Sequence, residues 1–372
     1  MTEQHSVGTL LLPQQTQDTP FVSVVIPCLN GEKTIARGIE SVFTQTHPSI
    51  EIIVVDDASQ DTTAEILRSF GDRIRPIFNE KNRGTAGAYN IGTAAAKGEF
   101  VLLMASDCYL TDPDYIADAL VHLQDPRIAA ACGQGVFDHV ERLDSIQRIF
   151  TVVNVLDVEE DPDEEVFEVP FIETRCDLVR KRALADIGFW FEGLYNSTED
   201  QDISARMREQ GYRLLQDKRL KFALDFGQTE DNLFKILKKQ YKYANGQAYI
   251  FLRFGLGHHT MTGSQSNRRS RIWHRLIQVA MTPVVVGGLL LSLAWPPAAA
   301  LVACAVGARA LWYWSYAGRW LKGLERIFAA LVGIACDLTY SASFLSALVL
   351  WTVRDPSIVR FGRPPLKQES KA

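Results

Sequence analysis

The chain has 372 residues, a formal net charge of −5 and 47% hydrophobic residues, long enough for more than one structural unit. The charge is unevenly divided: nine basic and four acidic side chains lie beyond residue 275, and 30 basic and 40 acidic before it. So acidic a leading part lacks the basic face of a nucleic-acid binder, and the six cysteines form no CxxC and no metal-ligand spacing, which predicts free thiols in a reducing compartment.

Residues 1–20 read as a flexible tail, polar apart from Leu10–Leu12, with no signal peptide. From Phe21 to about Gln124 strands alternate with helices. Val22–Ile26, Ile52–Val55 and Phe100–Met104 are short apolar runs, each stopping at polar or acidic residues: Pro27-Cys28-Leu29-Asn30, Asp56-Asp57 and Ala105-Ser106-Asp107. Runs of this kind predict buried strands of a parallel sheet. Between them, helices are expected at Gly31–Gln45, at Asp61–Phe70 with Asp61 as N-cap, and at Gly84–Lys97, with a short strand at Ile74–Phe78. Right-handed connections make this a βα array.

Further along, Ile128–Cys132 reads as a strand, Leu143–Asp157 as an amphipathic helix and Glu159–Glu165 as a solvated acidic loop. Strands are expected at Val169–Ile172 and Cys176–Val179. A helix opens in Asn196–Asp202 and runs to about Gln210, with Gly211 ending it. Asp231–Phe254 has apolar residues at helical spacing with Lys235, Lys238, Lys239 and Lys242 interleaved; a helix lying on a membrane surface and an ordinary surface helix both fit.

No charged residue occurs between Leu276 and Ala308, and Ile327–Val353 holds only Asp337. The first stretch exceeds one span of about 20 residues. Trp295-Pro296-Pro297 interrupts it, which predicts a hairpin over 276–314 within a transmembrane region 276–353, with 327–353 as a third segment. Basic clusters at Arg268, Arg269, Arg271 and Arg275, and at Arg309, Arg319, Lys322 and Arg326, place the leading domain on the cytoplasmic face of the membrane. If the third segment spans, the basic tail 354–372 ends outside, against the same rule; a re-entrant or interfacial placement stands beside it.

In open α/β sheets ligands bind beyond the carboxyl ends of the strands, where this chain puts Asp56, Asp57 and Asp107. Acids there serve a base or ribose, or hold a divalent cation against a diphosphate. No Gly-x-Gly-x-x-Gly follows the first strand, which disfavours a dinucleotide-dependent dehydrogenase, and no Gly-Lys-Ser/Thr loop exists.

Val22–Glu32 (VSVVIPCLNGE), Glu51–Asp61 (EIIVVDDASQD), Asn82–Gly92 (NRGTAGAYNIG), Gly98–Asp107 and Thr198–Asp202 (TEDQD) resemble, in order and spacing, the family 2 glycosyltransferases of GT-A fold over roughly residues 21–250. The resemblance implies an α/β GT-A domain with Rossmann-like strand order at 21–250, a basic linker at 251–275 and C-terminal transmembrane helices. It implies a nucleotide-sugar site formed by Pro27, Cys28, Asn30, Glu32, Asp56, Asp57, Arg83, Gly84 and Ser106, with Asp56 facing the base. Asp107 would hold Mg²⁺ or Mn²⁺ at the diphosphate. Asp200, beside Glu199, would be the general base of an inverting displacement. Asp202 reads as structural.

The sequence also departs from the family. Ala105 and Cys108 stand where relatives carry further acids, which weakens metal binding. No histidine appears near Phe222–Asp225, where Asp225 is the available substitute, and Gln240 is followed by Tyr241-Lys242-Tyr243-Ala244 in place of the Gln-x-x-Arg-Trp of processive synthases. The expectation is a membrane-anchored, single-addition glycosyltransferase that moves sugar from a nucleotide-sugar to a membrane-borne, polyprenyl-linked saccharide, with polysaccharide-assembly partners. Transfer to polyprenyl phosphate itself, and a degenerate scaffold in a synthase complex, are the competing readings.

Overall fold

The computed structural model describes residues 19–136, 148–149, 164–190, 198–225, 232–255, 268–318, 321–356 and 359, with side chains described outside 268–275. Most of the expected helix at 143–157 and of the acidic loop at 159–165, the linker at 256–267 and the tail beyond 359 lie outside the described residues, as do the basic side chains at 268–275.

The sheet begins with strands β1 (Val22–Cys28), β2 (Ile50–Asp56), β3 (Arg75–Phe78) and β4 (Phe100–Met104), all parallel, in the order β3-β2-β1-β4. Apolar alternation sets their register. Val22, Val24 and Ile26 face a core containing Ile35 and Ile39 of helix α1 (Ile35–Phe43) and Leu67 of α2 (Thr63–Ser69). Val25, Ile53, Val55, Val101 and Leu103 face the other way, toward α3 (Gly84–Ala95). Glycine at 92 permits this packing, because a Cβ there would lie 2.3 Å from Val25 Cγ1.

Beyond β4 the sheet is mixed rather than parallel. Strand β8 (Cys176–Arg180) runs antiparallel to β4, and β6 (Ile128–Val136) antiparallel to β8. Strand β9 (Arg213–Leu224) is parallel to β6 and pairs antiparallel with β5 (Cys108–Leu110) and β7 (Val166–Glu168). The strand expected at Val169–Ile172 does not form. One bond, Val169 N–H to Leu214 O at 3.0 Å or less (2.9 Å), ends the pairing, and Pro170 next to it has no N–H to give. Helices α4 (Tyr115–His122) and α5 (Lys181–Asp186) cover the sheet.

Helix α6 (Glu199–Glu209) packs on α7 (Leu233–Phe254) through a buried ion cluster. Asp202, fully buried, meets Arg206 of its own helix at 2.6 Å and Arg253 of α7 at 3.2 Å. Three C-terminal helices follow: α8 (Arg268–Ser292), α9 (Pro297–Ala317) and α10 (Leu324–Arg354). Helices α9 and α10 are long and apolar enough to cross a membrane, and the apolar part of α8 is shorter, Leu276–Ser292. Leu291, Leu301, Leu311, Leu331, Val349 and Val353 are exposed on these helices, an apolar surface suited to lipid. Inside, Arg309 and Asp337 form a buried pair at 2.7 Å, and Tyr313 OH donates to Asp337 at 2.8 Å. Such a pair fixes α9 against α10 where a lone charge would be costly.

Helix α10 also belongs to the enzyme-like domain. Tyr340, Phe344, Ala347 and Trp351 share one core with Ala205 of α6 and Ala244, Ala248 and Tyr249 of α7. Polar contacts reinforce it: Ser343 Oγ donates to Tyr241 O at 2.9 Å and Trp351 Nε1 to Asn245 Oδ1 at 3.1 Å. Replacing Asp202 with Ala leaves the buried Arg206 uncompensated and takes a partner from the partly exposed Arg253, and is expected to destabilise the protein by about 3–5 kcal/mol. Thermal melting of the detergent-solubilised protein checks this.

Candidate active site

A cavity of about 810 Å³ opens at the carboxyl ends of β1 and β4. The chain leaves β1 toward β2 on one side while β4 pairs on the other, so this edge is a switch point of the kind that receives ligands. Its wall combines Pro27–Thr34 after β1, Ala105–Asp107 after β4, Phe171 and Glu173–Arg175 before β8, Thr198–Gln201 at the start of α6, Asp225 after β9, and Lys239, Tyr243 and Gln247 of α7. Tyr340 of α10 closes one side.

The loops after β1 and β2 are laced together. Asn30 adopts φ +54°, its amide donates to Ser59 Oγ at 2.9 Å, and its Oδ1 accepts from Gln60 N–H at 2.8 Å. Gly31 N–H donates to Thr63 Oγ1 at 2.8 Å, and Glu32 Oε2 accepts from the Thr62 hydroxyl at 2.8 Å. Asp61 accepts from Thr63 N–H at 3.0 Å, but the N-cap position of α2 is Thr62, one residue after the expected cap. These bonds consume much of the polar capacity of Asn30 and Glu32 in shaping the wall.

The two adjacent aspartates are both buried but have different partners. Asp56, 3% exposed, turns its Oδ1 to Ser59 N–H at 2.9 Å and does not line the cavity. Asp57 does line it, and its carboxylate accepts from Gly84 N–H at 2.8 Å, Arg83 N–H at 2.9 Å and Asn79 Nδ2 at 2.8 Å. Asp57 thereby caps the N-terminus of α3, where Gly84 takes φ +75°, a conformation glycine tolerates. The physical reason is the pleat: consecutive residues at the end of a strand point to opposite sides. Arg83 stands at this cap but is not on the wall. Pro27, Cys28, Asn30, Glu32, Asp57, Gly84, Ser106, Asp107, Glu199 and Asp200 all are. Cys28 is no nucleophile, since burial and then Asp56 push its thiol up to about 12.

Asp107 and Asp225 lie together, with Asp225 N–H donating to Asp107 O at 2.8 Å. Ala105 offers no donor, and Cys108 is buried with its thiol held well above the usual range by a hydrogen bond with Cys176 and by burial. Among the described residues no group of three or more His, Cys, Asp or Glu forms a ready-made metal cage. Two carboxylates on one wall, one of them shared with Arg37 at 3.2 Å, fit a cation such as Mg²⁺ that keeps waters and takes oxygens from a diphosphate. They do not fit one that needs an all-protein shell.

Asp200 sits at the entrance to α6, following Thr198 at φ +57°. Burial pushes its carboxyl up to about 6, with Glu173 adding to the rise, while Gln201 N–H, at 2.8 Å, and Arg175 oppose it. A carboxylate with that pKa is a competent base near neutral pH. Glu173, Arg175, Gln247 and Tyr340 are wall residues that sequence reasoning missed. Arg175 and Glu173 precede a strand without any motif around them, and Tyr340 lies 140 residues from Asp200 in an apolar helix.

Residues 23–188 match the family described as Glycosyl transferase family 2. A poly-beta-1,6-N-acetyl-D-glucosamine synthase of Staphylococcus epidermidis is 26% identical over 250 residues, covering 66% of this chain and 59% of that protein. The succinoglycan biosynthesis protein ExoO of Rhizobium meliloti is 38% identical over 96 residues, 26% of this chain and 28% of that one. The chain therefore matches less than two thirds of the length of these relatives. Among solved structures, a mannosyltransferase of Pyrobaculum calidifontis, in complex with GDP-Man and Mn²⁺, has a similar fold: TM-score 0.52, 18% identity, 90% of this chain and 88% of that one. The fold is that of the GT-A architecture. The domain matched at 23–188 is a family 2 glycosyltransferase domain, joined here to apolar helices that are candidate membrane spans.

Beneath the site, Asp177 of β8 is 2% exposed, and its Oδ2 meets no hydrogen-bond partner among the described residues. Burial and then Glu173 raise its carboxyl from 3.8 to about 7, against the Cys132 thiol and Arg175, which lower it. The sign follows directly. Ionisation is harder in the fold than in the unfolded chain, so the contribution of this group to stability is full below pH 3.8, declines as the pH rises from there, and is lost above about pH 7. Asp177→Asn is expected to melt higher than the wild type at pH 8, by up to about 4 kcal/mol of stability. The difference should shrink toward pH 4, which melting curves at the two pH values test.

Proposed function

We propose that this chain is a membrane-associated, inverting glycosyltransferase that moves one sugar from a nucleoside diphosphate sugar to a membrane-borne saccharide in polysaccharide or glycolipid assembly. The observation that carries the reading is the position of Asp200. Its carboxyl, raised by burial, opens into a cavity whose wall also holds Asp107 after β4 and Tyr340 of an apolar helix. A soluble acceptor would not require a wall built from a candidate membrane span.

In the reaction, the acceptor hydroxyl gives its proton to the Asp200 carboxylate as its oxygen bonds to the anomeric carbon. The bond from that carbon to the β-phosphate oxygen breaks, and its electron pair leaves with the nucleoside diphosphate. Pro27, Cys28, Asn30, Glu32, Asp57 and Ser106 shape the donor side; Asp56 and Asp57 with Arg83 and Gly84 hold the loops that form it. Asp107, with Asp225, would hold a Mg²⁺ or Mn²⁺ ion, which supplies charge to the departing diphosphate. Glu199 flanks the base.

Lys239 and Tyr243 of α7 stand on the acceptor side, the ammonium 5.8 Å from the Tyr243 ring centroid. They suit an anionic lipid-linked acceptor. The names of the Staphylococcus epidermidis and Rhizobium meliloti relatives support an acceptor belonging to a polysaccharide. The Tyr243-Ala244 pair, where processive synthases carry Arg-Trp, supports a single addition. The basic clusters flanking the apolar helices support a catalytic domain on the cytoplasmic face.

Transfer assays with UDP-, GDP- and dTDP-sugars on membranes containing the protein test the reading. Asp200→Asn is expected to lower the rate by about 10²–10⁴-fold with nucleotide affinity retained, as loss of a general base does. Equal rates for mutant and wild type would remove the assignment. The wild-type rate is expected to fall as the pH drops through about 6, where Asp200 takes up its proton. Glu173→Gln removes a negative neighbour and should move that fall to lower pH.

A further inference from the structure

The cavity wall carries eight acidic side chains, Glu32, Asp57, Asp61, Asp107, Glu173, Glu199, Asp200 and Asp225, against three basic ones, Lys33, Arg175 and Lys239. A nucleoside diphosphate entering this wall adds negative charge, and more develops on it as the sugar leaves. A bound cation offsets part of it, yet Ala105 and Cys108 contribute no carboxylate to hold that cation. Some fixed positive charge must therefore face the diphosphate.

Arg175 is the basic residue placed for this. Ala105 N–H donates to Arg175 O at 2.7 Å, and Met104 pairs with Cys176 in the β4–β8 register, so Arg175 stands across from the chain as it leaves β4 toward Asp107. Its segment is firmly held. Ile172 N–H donates to Ser204 Oγ of α6 at 3.0 Å, and Thr174 O accepts from Tyr89 OH of α3 at 2.7 Å. The guanidinium meets Glu173 at 3.1 Å, but this pair is open to the cavity, with side chains 35% and 54% exposed. An exposed ion pair is worth little, and a diphosphate can displace it at small cost. Glu173 and then Asp107 strengthen the hold of Arg175 on its proton, and Arg175 in turn lowers the Asp200 carboxyl. Lys33 and Lys239 stand apart, on the loop after β1 and on α7.

We propose that Arg175 binds the diphosphate of the donor and neutralises the leaving nucleoside diphosphate, taking over part of the charge that a fuller acidic motif would assign to a metal ion. The proposal rests on the glycosyltransferase reading. No proton moves to or from Arg175: the electron pair of the breaking bond passes to the β-phosphate oxygen, and the guanidinium stabilises it there by charge-assisted hydrogen bonds.

Calorimetric binding of UDP, GDP and dTDP to the full-length detergent-solubilised protein, in EDTA and in Mn²⁺, tests it. The wild type is expected to bind one of these nucleotides in EDTA. Arg175→Gln should weaken that binding about ten- to hundredfold, with a smaller loss in Mn²⁺. Arg175→Lys, which keeps the charge and loses the fork, should recover part of the affinity, and Glu173→Gln should increase it. An unliganded melting temperature equal to that of the wild type shows that each variant is folded; if Arg175→Gln is not, Arg175→Lys and Glu173→Gln decide. Equal affinity of wild type and Arg175→Gln in EDTA overturns the proposal, and so does complete loss of wild-type binding in EDTA with binding in Mn²⁺ intact; either leaves the glycosyltransferase reading standing. Failure to bind any of the three nucleotides in either medium overturns both.

Discussion

The parallel pairing of β4 with β1 is the constraint from which the site follows. Val22 to Val25 lie beside Phe100 to Leu103, so the two strands end at one edge and their following loops face each other. Residues 27–34 and 105–107 thereby form a single wall, although more than 70 residues separate them in the chain. Burial on both faces holds the register, because a slip of one residue would turn Val24 and Val25 to the wrong cores. Every later element is placed against this edge. Strand β8 pairs with β4 and delivers Glu173 and Arg175, and the end of β9, tied to Asp107, delivers Asp225.

A second junction ties chemistry to the apolar helices. Asp202, two residues after the proposed base, is clamped by Arg206 and by Arg253 of α7, and α7 shares its core with α10. The base thus sits on a helix whose orientation is set by buried charge on one side and by aromatic packing on the other. Tyr340 reaches the cavity as a consequence of that packing. The arrangement explains why Asp202 is worth burying: a fully desolvated carboxylate with two guanidinium partners is rigid, and a base must be held within hydrogen-bond reach of its substrate.

Much of the fold was legible because its signals are local. Strands β1, β2 and β4 are continuous apolar runs ended by polar residues, and α3, α6 and α7 carry helical spacing with clear stops. Strand β9 was not legible, because Asp217-Lys218-Arg219 interrupts its apolar pattern; there the pairing with β6 shifts register, and Asp217 is satisfied by Arg219 and His122. The strand expected at Val169–Ile172 failed on Pro170. In the site, Asp56 and Asp57 are indistinguishable as sequence, and the pleat at the end of β2 sends only Asp57 to the cavity. Arg175 and Glu173 carry no signature, since an Arg-Glu pair before a strand is ordinary surface chemistry until the sheet turns it inward.

The sequence by itself determined the first four strands and the helices between them, the acids at the strand ends, the Glu-Asp pair at the head of α6, the thinning of the acidic motif at Ala105 and Cys108, and the apolar character of the C-terminal helices. Each is a property of neighbours in the chain: hydrophobic period, a cap, a motif, or a run without charge. Tertiary structure alone decided that Asp57 rather than Asp56 lines the cavity, that Asp225 stands beside Asp107, that Arg175 faces the same space, and that α10 supplies a wall. Those outcomes depend on the register of β4 with β8, on the tie from Asp225 to Asp107, and on the packing of α7 against α10. Such contacts join residues far apart in the chain, and their energies depend on burial and mutual orientation, which a linear sequence does not specify.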